Sequence, residues 1–202
     1  FCLSRGLGDV YKRQVLNASA AGERPAVLLF TSALPQTGNT TTLLNVAITA
    51  ARQGRRRVVV VDANLRQPSV ADRLGLPAAP GLREALAGTI ALDEVIQPTE
   101  QPNLFALTAG VRDNAGMRFV AETMRSLLRQ LRQSFSLVFV DGPRWDGRQE
   151  GIVLASACDA VYLVVNEQQA ETPQIDALLQ HIPNQGARLA GCILVADSSR
   201  CA

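Results

Sequence analysis

Lysine is almost missing from this chain: Lys12 is the only one, and residues 15–202 contain none. The positive charge of that stretch comes from arginine alone. The whole chain has 20 basic and 18 acidic residues. Three of the basic ones (Arg5, Lys12 and Arg13) and one acidic one (Asp9) precede residue 15, which leaves 17 of each sign in residues 15–202. A neutral balance gives no reason to expect nucleic acid or an anionic membrane surface as a partner.

Metal-binding side chains are scarce as well. His181 is the single histidine, and none of the 4 cysteines forms a C-x-x-C pair, so the ligands of a zinc site are lacking. We expect reduced thiols, as in a reducing compartment. No apolar run reaches the roughly twenty residues that span a bilayer; the best candidate, Gly151 to Val165, is interrupted by Asp159. The sequence therefore predicts a cytoplasmic chain.

Aromatic residues make up only 4% of the chain, whereas 47% of it is hydrophobic. A length of 202 residues fits one domain, and an aliphatic-rich composition suits a buried parallel sheet. Short apolar runs alternate with helical patterns, which predicts an α/β fold: a doubly wound, mostly parallel sheet with helices on both faces. The predicted strands are 26–31, 57–62, 104–107, 137–141, 161–165 and 190–195, and the predicted helices are 40–53, 115–133, 149–158 and 172–181, with short helical segments within 69–96.

The first 14 residues differ from the rest of the chain. Phe1 to Gln14 contains the only lysine and resembles translated sequencing-adapter sequence, so it is left out of the fold argument. A genuine N-terminal arm is the alternative. We expect residues 15–25 to be a linker and 26–202 to be a single domain that is truncated at its C-terminal end.

Polar loops follow three of the predicted strands, at 32–42, 62–68 and 141–145. Ligands of such sheets bind beyond the carboxyl ends of the strands, so three polar loops at equivalent ends indicate one site. The first loop lies between a strand and a helix, which is the setting of a phosphate-binding loop.

The first loop has some of the residues that phosphate binding needs. Gly38 lets the backbone turn its N–H groups towards phosphate, Thr40 can supply a hydroxyl ligand for Mg²⁺, and Thr41 can hydrogen-bond a phosphate. Asn39 stands where such loops have lysine, and Gln36 stands where a glycine is usual. An ordinary βα turn without a ligand is the alternative, and Asn39 is also a candidate helix N-cap.

Seven short segments of the chain match the motifs of one family in order. They read S-A-L-P-Q-T-G-N-T-T at 32–41, V-D-A-N-L-R-Q-P-S at 61–69, P-G-L and L-A-G at 80–82 and 86–88, N-L and T-A-G at 103–104 and 108–110, and V-D-G-P-R at 140–144. These segments resemble the P-loop NTPase-like kinase domain of the bacterial tyrosine kinases of capsule and exopolysaccharide synthesis, relatives of the MinD and ParA ATPases. The resemblance runs from about residue 26 to 195.

The resemblance implies binding of ATP or ADP with Mg²⁺. Asp62 and Asp141 would be catalytic, Asp62 as a metal partner or base and Asp141 at the water shell of the ion; with Thr40 they would form the Mg²⁺ site. A carboxylate at a strand end can also cap a helix or pair with arginine, which is the alternative for both acids. The implied nucleotide contacts are Pro35, Gln36, Thr37, Gly38, Asn39, Thr40, Thr41 and Arg66.

Departures from the family pattern bear on activity. Asn39 offers a dipole where the family has a full positive charge, and loss of a charge-assisted contact costs about 1.5–3 kcal/mol. Because lysine is missing, only an arginine could replace it, and Arg66 and Arg144 are the candidates by motif. Gln36 adds a side chain where phosphate should approach the backbone, and Asn64 replaces the second carboxylate of the second motif.

The resemblance predicts the nucleotide-binding domain of a tyrosine-kinase-like protein of capsule or exopolysaccharide synthesis, weakened in catalysis by Asn39. Two alternatives stay open: a non-catalytic, pseudokinase-like module docking to a membrane polysaccharide co-polymerase, and a positioning ATPase related to MinD and ParA. The family's terminal tyrosine cluster is not found, since Tyr11 and Tyr162 are the only tyrosines. The resemblance also implies a co-polymerase partner, homo-oligomers, and a place at the inner membrane face through that partner or a fused segment.

Overall fold

A computed structural model of the chain describes residues 25–54, 56–111, 121–167 and 170–196. The expectations for Phe1 to Gln14, for most of the linker and for the chain from Asp197 onwards lie outside these residues. So does the first part of the predicted helix 115–133.

Seven strands form one sheet in the described residues, in the order β3-β4-β2-β5-β1-β6-β7. All neighbouring strands are parallel except β3, which pairs antiparallel with β4. The predicted doubly wound, mostly parallel α/β fold is therefore confirmed. The strands are β1 (Ala26–Ser32), β2 (Val58–Asp62), β3 (Gln97–Pro98), β4 (Leu104–Leu107), β5 (Leu137–Asp141), β6 (Ala160–Asn166) and β7 (Leu189–Val195).

Helices connect the parallel strands, because a parallel pair needs a crossover over one face of the sheet. Within the described part of the chain, they are α1 (Asn39–Arg52), α2 (Val70–Leu74), α3 (Leu82–Ala87), α4 (Leu92–Val95), α5 (Ala121–Ser134), α6 (Gln149–Ala157) and α7 (Pro173–Asn184). None of the helices in the described ranges is both long and apolar enough to cross a bilayer.

Two apolar layers cover the sheet, one on each face. Alternate residues of β1 point to opposite faces, so that Val27 and Leu29 join one layer while Leu28 and Phe30 join the other. The first layer includes buried side chains of α5, α6 and α7, and the second includes those of α1. The central strands are apolar on both faces, as expected for a parallel sheet between two helix layers.

One strand was not predicted. Strand β3 has only two residues, Gln97 and Pro98, and lies at the edge of the sheet. Proline cannot donate to a strand ladder and is confined to such edges. A polar dipeptide of this kind has no hydrophobic pattern that could reveal it.

The packing of α1 on the sheet can be tested at Leu43, whose side chain is 0% exposed. Leu43→Ala should lower the free energy of unfolding by about 2–5 kcal/mol, because it leaves a cavity in the core. Urea denaturation measures the loss. Gln53→Ala, at an exposed position just after the same helix, is the control and should change stability by less than about 0.5 kcal/mol. Equal effects of the two substitutions would contradict the packing.

Candidate functional site

Two buried acids lie side by side at the carboxyl end of the sheet. Asp62 ends β2 and Asp141 ends β5, and the two are register partners in the parallel ladder. Strand β1 runs along the other side of β5 and pairs Phe30 with Asp141. The loop that follows β1 therefore starts directly beside the acids.

The loop between β1 and α1 turns through two left-handed residues. Gly38 has φ 79 and precedes the first residue of α1, and Gln36 has φ 57. Glycine adopts such a conformation without steric cost, whereas a residue with a Cβ is strained in it. Gln36 thus has a backbone conformation suited to glycine, and the side chain of Gln36 is exposed.

The side chain of Asn39 turns inwards to the sheet. Its Nδ2 donates to Asp141 Oδ1 at 2.7 Å and to the carbonyl oxygen of Phe30 at 3.2 Å. Both N–H groups of the amide are therefore used, and Oδ1 is buried with no partner in the described residues. Asn39 is not the N-cap of α1; Gly38 holds that position.

Thr40 completes the contact between α1 and the acids. Its hydroxyl donates to Asp141 Oδ2 at 2.7 Å and accepts from Ser69 Oγ at 3.1 Å. The hydroxyl that the sequence places at a Mg²⁺ site thus lies against one of the two acids expected there.

Asp62 receives backbone N–H groups rather than side chains. Its Oδ2 accepts from Ser69 and Val70 at 3.0 Å each, and its Oδ1 accepts from Asn64 at 3.3 Å. Ser69 and Val70 stand at the start of α2, so Asp62 caps this short helix. Contact with a helix start, one of the alternatives for Asp62, is therefore present, and the role of this acid at the cleft stays a prediction.

Burial sets the protonation of both acids. Desolvation raises the pKa of Asp62 to about 6 against backbone hydrogen bonds that lower it. Desolvation, followed by repulsion from Asp62, raises the pKa of Asp141 to about 7, although Thr40 and Asn39 act in the opposite direction. Two adjacent carboxylates with raised pKa values are typical of sites that hold a cation or transfer a proton.

A cleft of about 590 Å³ opens above these residues. It is lined by most of the predicted nucleotide contacts, namely Pro35, Gln36, Thr37, Gly38, Asn39, Thr40 and Arg66. Four arginines line it against two acids, Asp146 and Glu150, so the lining side chains carry a surplus of positive charge. Thr37 Oγ1 is buried there without a partner in the described residues.

Arg73 also lines the cleft, although no sequence motif predicted it. Its Nη1 donates to Thr41 Oγ1 at 2.7 Å, so this residue reaches the remaining predicted contact. The pattern that could have revealed it is local: Arg73 lies one helical turn after Ser69, at the end of the second motif. Arg66, which the sequence did single out, pairs with Glu150 Oε1 at 3.1 Å.

Trp145 is part of the core rather than of the cleft. It is 4% exposed, and its backbone N–H donates to the carbonyl oxygen of Ser32 at 2.8 Å. A second bond, from Thr31 Oγ1 to the carbonyl oxygen of Pro143 at 2.7 Å, holds the same loop against the end of β1. The loop after β5 is therefore fixed to the loop after β1 at two points.

The residues present fit a nucleotide phosphate chain with a divalent cation. Thr37 has a buried hydroxyl with no partner in the described ranges, and the cleft lining is positive, as an anion requires. The described residues contain no group of three His, Cys, Asp or Glu side chains placed to hold a metal. Mg²⁺ commonly takes one or two protein oxygens together with waters and substrate phosphates, and the Thr40 hydroxyl and the Asp141 carboxylate are such oxygens.

Solved structures identify the class of fold. The chain superposes on the kinase domain of VpsO with a TM-score of 0.76 at 28% identity, over 94% of this chain and 99% of that one. It also superposes on MinD of Pyrococcus horikoshii, solved with Mg-ADP, with a TM-score of 0.72 at 20% identity. That superposition covers 84% of this chain and 70% of MinD. The chain thus has the α/β fold that this kinase domain and MinD share.

No protein-family model matches the chain, but curated relatives do. Tyrosine-protein kinase YwqD of Bacillus subtilis is 26% identical over 168 residues, covering 83% of this chain and 70% of the relative. Tyrosine-protein kinase CpsD of Streptococcus pneumoniae is 26% identical over 191 residues, which cover 92% of this chain and 82% of the relative. The chain is therefore similar in sequence to several named bacterial tyrosine-protein kinases. It spans only 23% of the longer relative Etk of Escherichia coli, at 27% identity over 83% of this chain.

The strain at Gln36 predicts a stabilising substitution. Gln36→Gly should raise the free energy of unfolding by up to about 1 kcal/mol, since relief of a left-handed side chain exceeds the entropy cost of glycine. Thermal and urea unfolding measure the gain. Gln67→Gly is the control: this exposed residue of the same cleft has no positive φ, so glycine there should destabilise. A loss of stability in both variants would contradict the argument.

The raised pKa values predict that stability falls as pH rises. At pH 4 and below, burial of the two acids lowers the free energy of unfolding little, because both are protonated in the folded chain. Between pH 4 and 7, the unfolded chain releases protons that folded Asp141 still holds, so stability falls. The stability of Asp141→Asn relative to wild type should therefore rise between pH 4.5 and pH 8, because the neutral amide does not titrate. Chemical denaturation in EDTA measures it.

Asp146→Asn is the control for this pH series. Asp146 is exposed and pairs with Arg148 at 3.0 Å, and surface pairs of this kind contribute about 0–1 kcal/mol. An Asp141→Asn variant whose stability tracks wild type across the whole pH range would show that burial does not raise this pKa.

Proposed function

We propose that this chain is the nucleotide-binding domain of a bacterial tyrosine-kinase-like protein of capsule or exopolysaccharide synthesis. It binds ATP or ADP with Mg²⁺ in the cleft above Asp62 and Asp141. Its relatives YwqD and CpsD are named tyrosine-protein kinases. Phosphoryl transfer depends mainly on positioning and on stabilising charge, so the cleft's side chains decide what chemistry the domain supports.

The observation that supports this function is the contact between the P-loop helix and the acidic strand end. Asn39 and Thr40 are the first two residues of α1, and both donate to Asp141 at 2.7 Å. A loop that only connected β1 to α1 would not need a buried acid at that point. The arrangement suits Thr40 and Asp141 as the groups that hold Mg²⁺, with Asp62 beside them as a metal partner or base.

Asn39 argues for weakened phosphoryl transfer. Both hydrogens of its amide are bound, to Asp141 and to the carbonyl of Phe30, so the side chain has no donor left for a phosphate in this conformation. Lysine in the same place would bring a full positive charge. Removing a preorganised donor from a site where charge develops commonly lowers the rate by about 10²–10³.

The same observation supports the alternative of a non-catalytic module. A domain that binds nucleotide without turning it over could act as a conformational signal to a membrane polysaccharide co-polymerase. Such a partner would keep the domain at the inner face of the membrane. Tyr162 does not serve as an accessible acceptor, because it is 5% exposed and packs on Phe30 with ring centroids 5.4 Å apart.

Lysine at position 39 tests the function. Asn39→Lys should raise ATP turnover by at least about tenfold, because it adds charge stabilisation in the transition state. Nucleotide affinity is measured by titration with and without Mg²⁺, and turnover by release of phosphate and by transfer to a tyrosine peptide. Asn39→Gln is the matched control: it lengthens the side chain without adding charge, and should not raise turnover.

The outcomes separate the candidates. ATP binding without turnover in wild type, and turnover gained in Asn39→Lys, supports a weakened kinase site. Binding without turnover in both proteins favours the non-catalytic module. Wild type that binds neither ATP nor ADP in the presence of Mg²⁺ overturns the proposal.

A further inference from the structure

Arg73 occupies a place from which it can supply the positive charge that Asn39 lacks. Its backbone belongs to α2, whose start is held by Asp62 through the N–H groups of Ser69 and Val70 at 3.0 Å. The backbone N–H of Arg73 donates to the carbonyl of Ser69 at 3.2 Å. The buried acid therefore fixes the direction in which this arginine leaves the helix.

The guanidinium of Arg73 is aimed at the P-loop helix. Its Nη1 lies 2.7 Å from the hydroxyl of Thr41, the third residue of α1, and the side chain lines the cleft. Thr41 accepts this bond, which leaves its own proton to donate. An arginine has five N–H donors in a planar fork that matches phosphate, and the bond to Thr41 uses one of them.

The electrostatics of the cleft agree with this placement. Arg73 is the cation that lowers the pKa of Asp141 against the larger effects of burial and of Asp62, so its charge is felt at the acid beside Asn39 and Thr40. Two other arginines of the cleft are paired with acids, Arg66 with Glu150 at 3.1 Å and Arg148 with Asp146 at 3.0 Å.

We propose that Arg73 is a phosphate-binding residue of this domain and takes the place of the P-loop lysine. The inference rests on the proposed function, since it assigns one contact within the same nucleotide site. In this proposal Arg73, in α2, is the charged partner of a nucleotide's phosphates. Asn39 instead positions Asp141. Thr41 then acts as the hydrogen-bonded link that holds the guanidinium beside the P-loop.

The test is a series of ligands with increasing numbers of phosphates. Adenosine, AMP, ADP, ATP and inorganic tripolyphosphate are titrated against wild type, Arg73→Ala and Arg73→Gln. Both variants should lose about 10- to 100-fold in affinity for ATP and tripolyphosphate, while adenosine affinity should not change. Arg73→Gln keeps polar donors without the charge, and thermal unfolding verifies that both variants are folded.

Three further variants separate a specific contact of Arg73 from a general effect of positive charge. Arg52→Ala removes one positive charge from the same helix layer at an exposed residue that bonds Gln101, and should leave ATP affinity unchanged. Asn39→Lys added to Arg73→Ala should restore most of the lost affinity, because it returns a charge to the usual lysine position. Arg144→Ala tests the rival arginine that also lines the cleft.

The inference is overturned if Arg73→Ala binds ATP as tightly as Arg52→Ala does, or if Arg144→Ala alone shows the phosphate-dependent loss. In both cases the proposed function survives, because wild type still binds nucleotide. Wild type that binds neither ATP nor tripolyphosphate overturns the proposed function and this inference together.

Discussion

The carboxylate of Asp141 joins the parts of the molecule on which the site depends. It stands at the end of β5, between the ends of β1 and β2, and accepts hydrogen bonds from Asn39 and Thr40 at 2.7 Å each. The carbonyl of Phe30 strengthens the same junction, because it accepts from Asn39 and from the backbone N–H of Gly142 at 2.9 Å. The loop after β1, helix α1 and the loop after β5 are thereby held in one arrangement.

Unfavourable features of the structure gather at this junction. Two neighbouring acids are buried and have raised pKa values, Gln36 has a left-handed backbone, and Asn39 Oδ1 has no partner among the described residues. Each costs stability, and proteins retain such costs mainly where they serve a site. The two apolar layers on the sheet offset these losses of stability. Nearly every residue of the central strands is buried in one layer or the other.

Arginine, not lysine, carries the positive charge of the cleft. A lysine would concentrate one charge at the loop after β1, whereas four guanidinium groups line this cleft. They come from the loop after β2, from α2 and from the loop after β5. Arginine forms planar, multiple hydrogen bonds to phosphate but is not equivalent to lysine as a point charge. A cleft lined by several guanidinium groups suits a phosphate anion.

What the sequence by itself determined was the class of fold and the place of the site. Apolar runs such as 58–61 and 137–140 need no tertiary context to be recognised as buried strands, and the two aspartates end their strands as predicted. The tertiary structure alone decided how side chains meet across segments far apart in the chain. It turned both amide hydrogens of Asn39 onto Phe30 and Asp141, and it brought Arg73 to Thr41, because those contacts follow from strand register and helix packing rather than from local pattern.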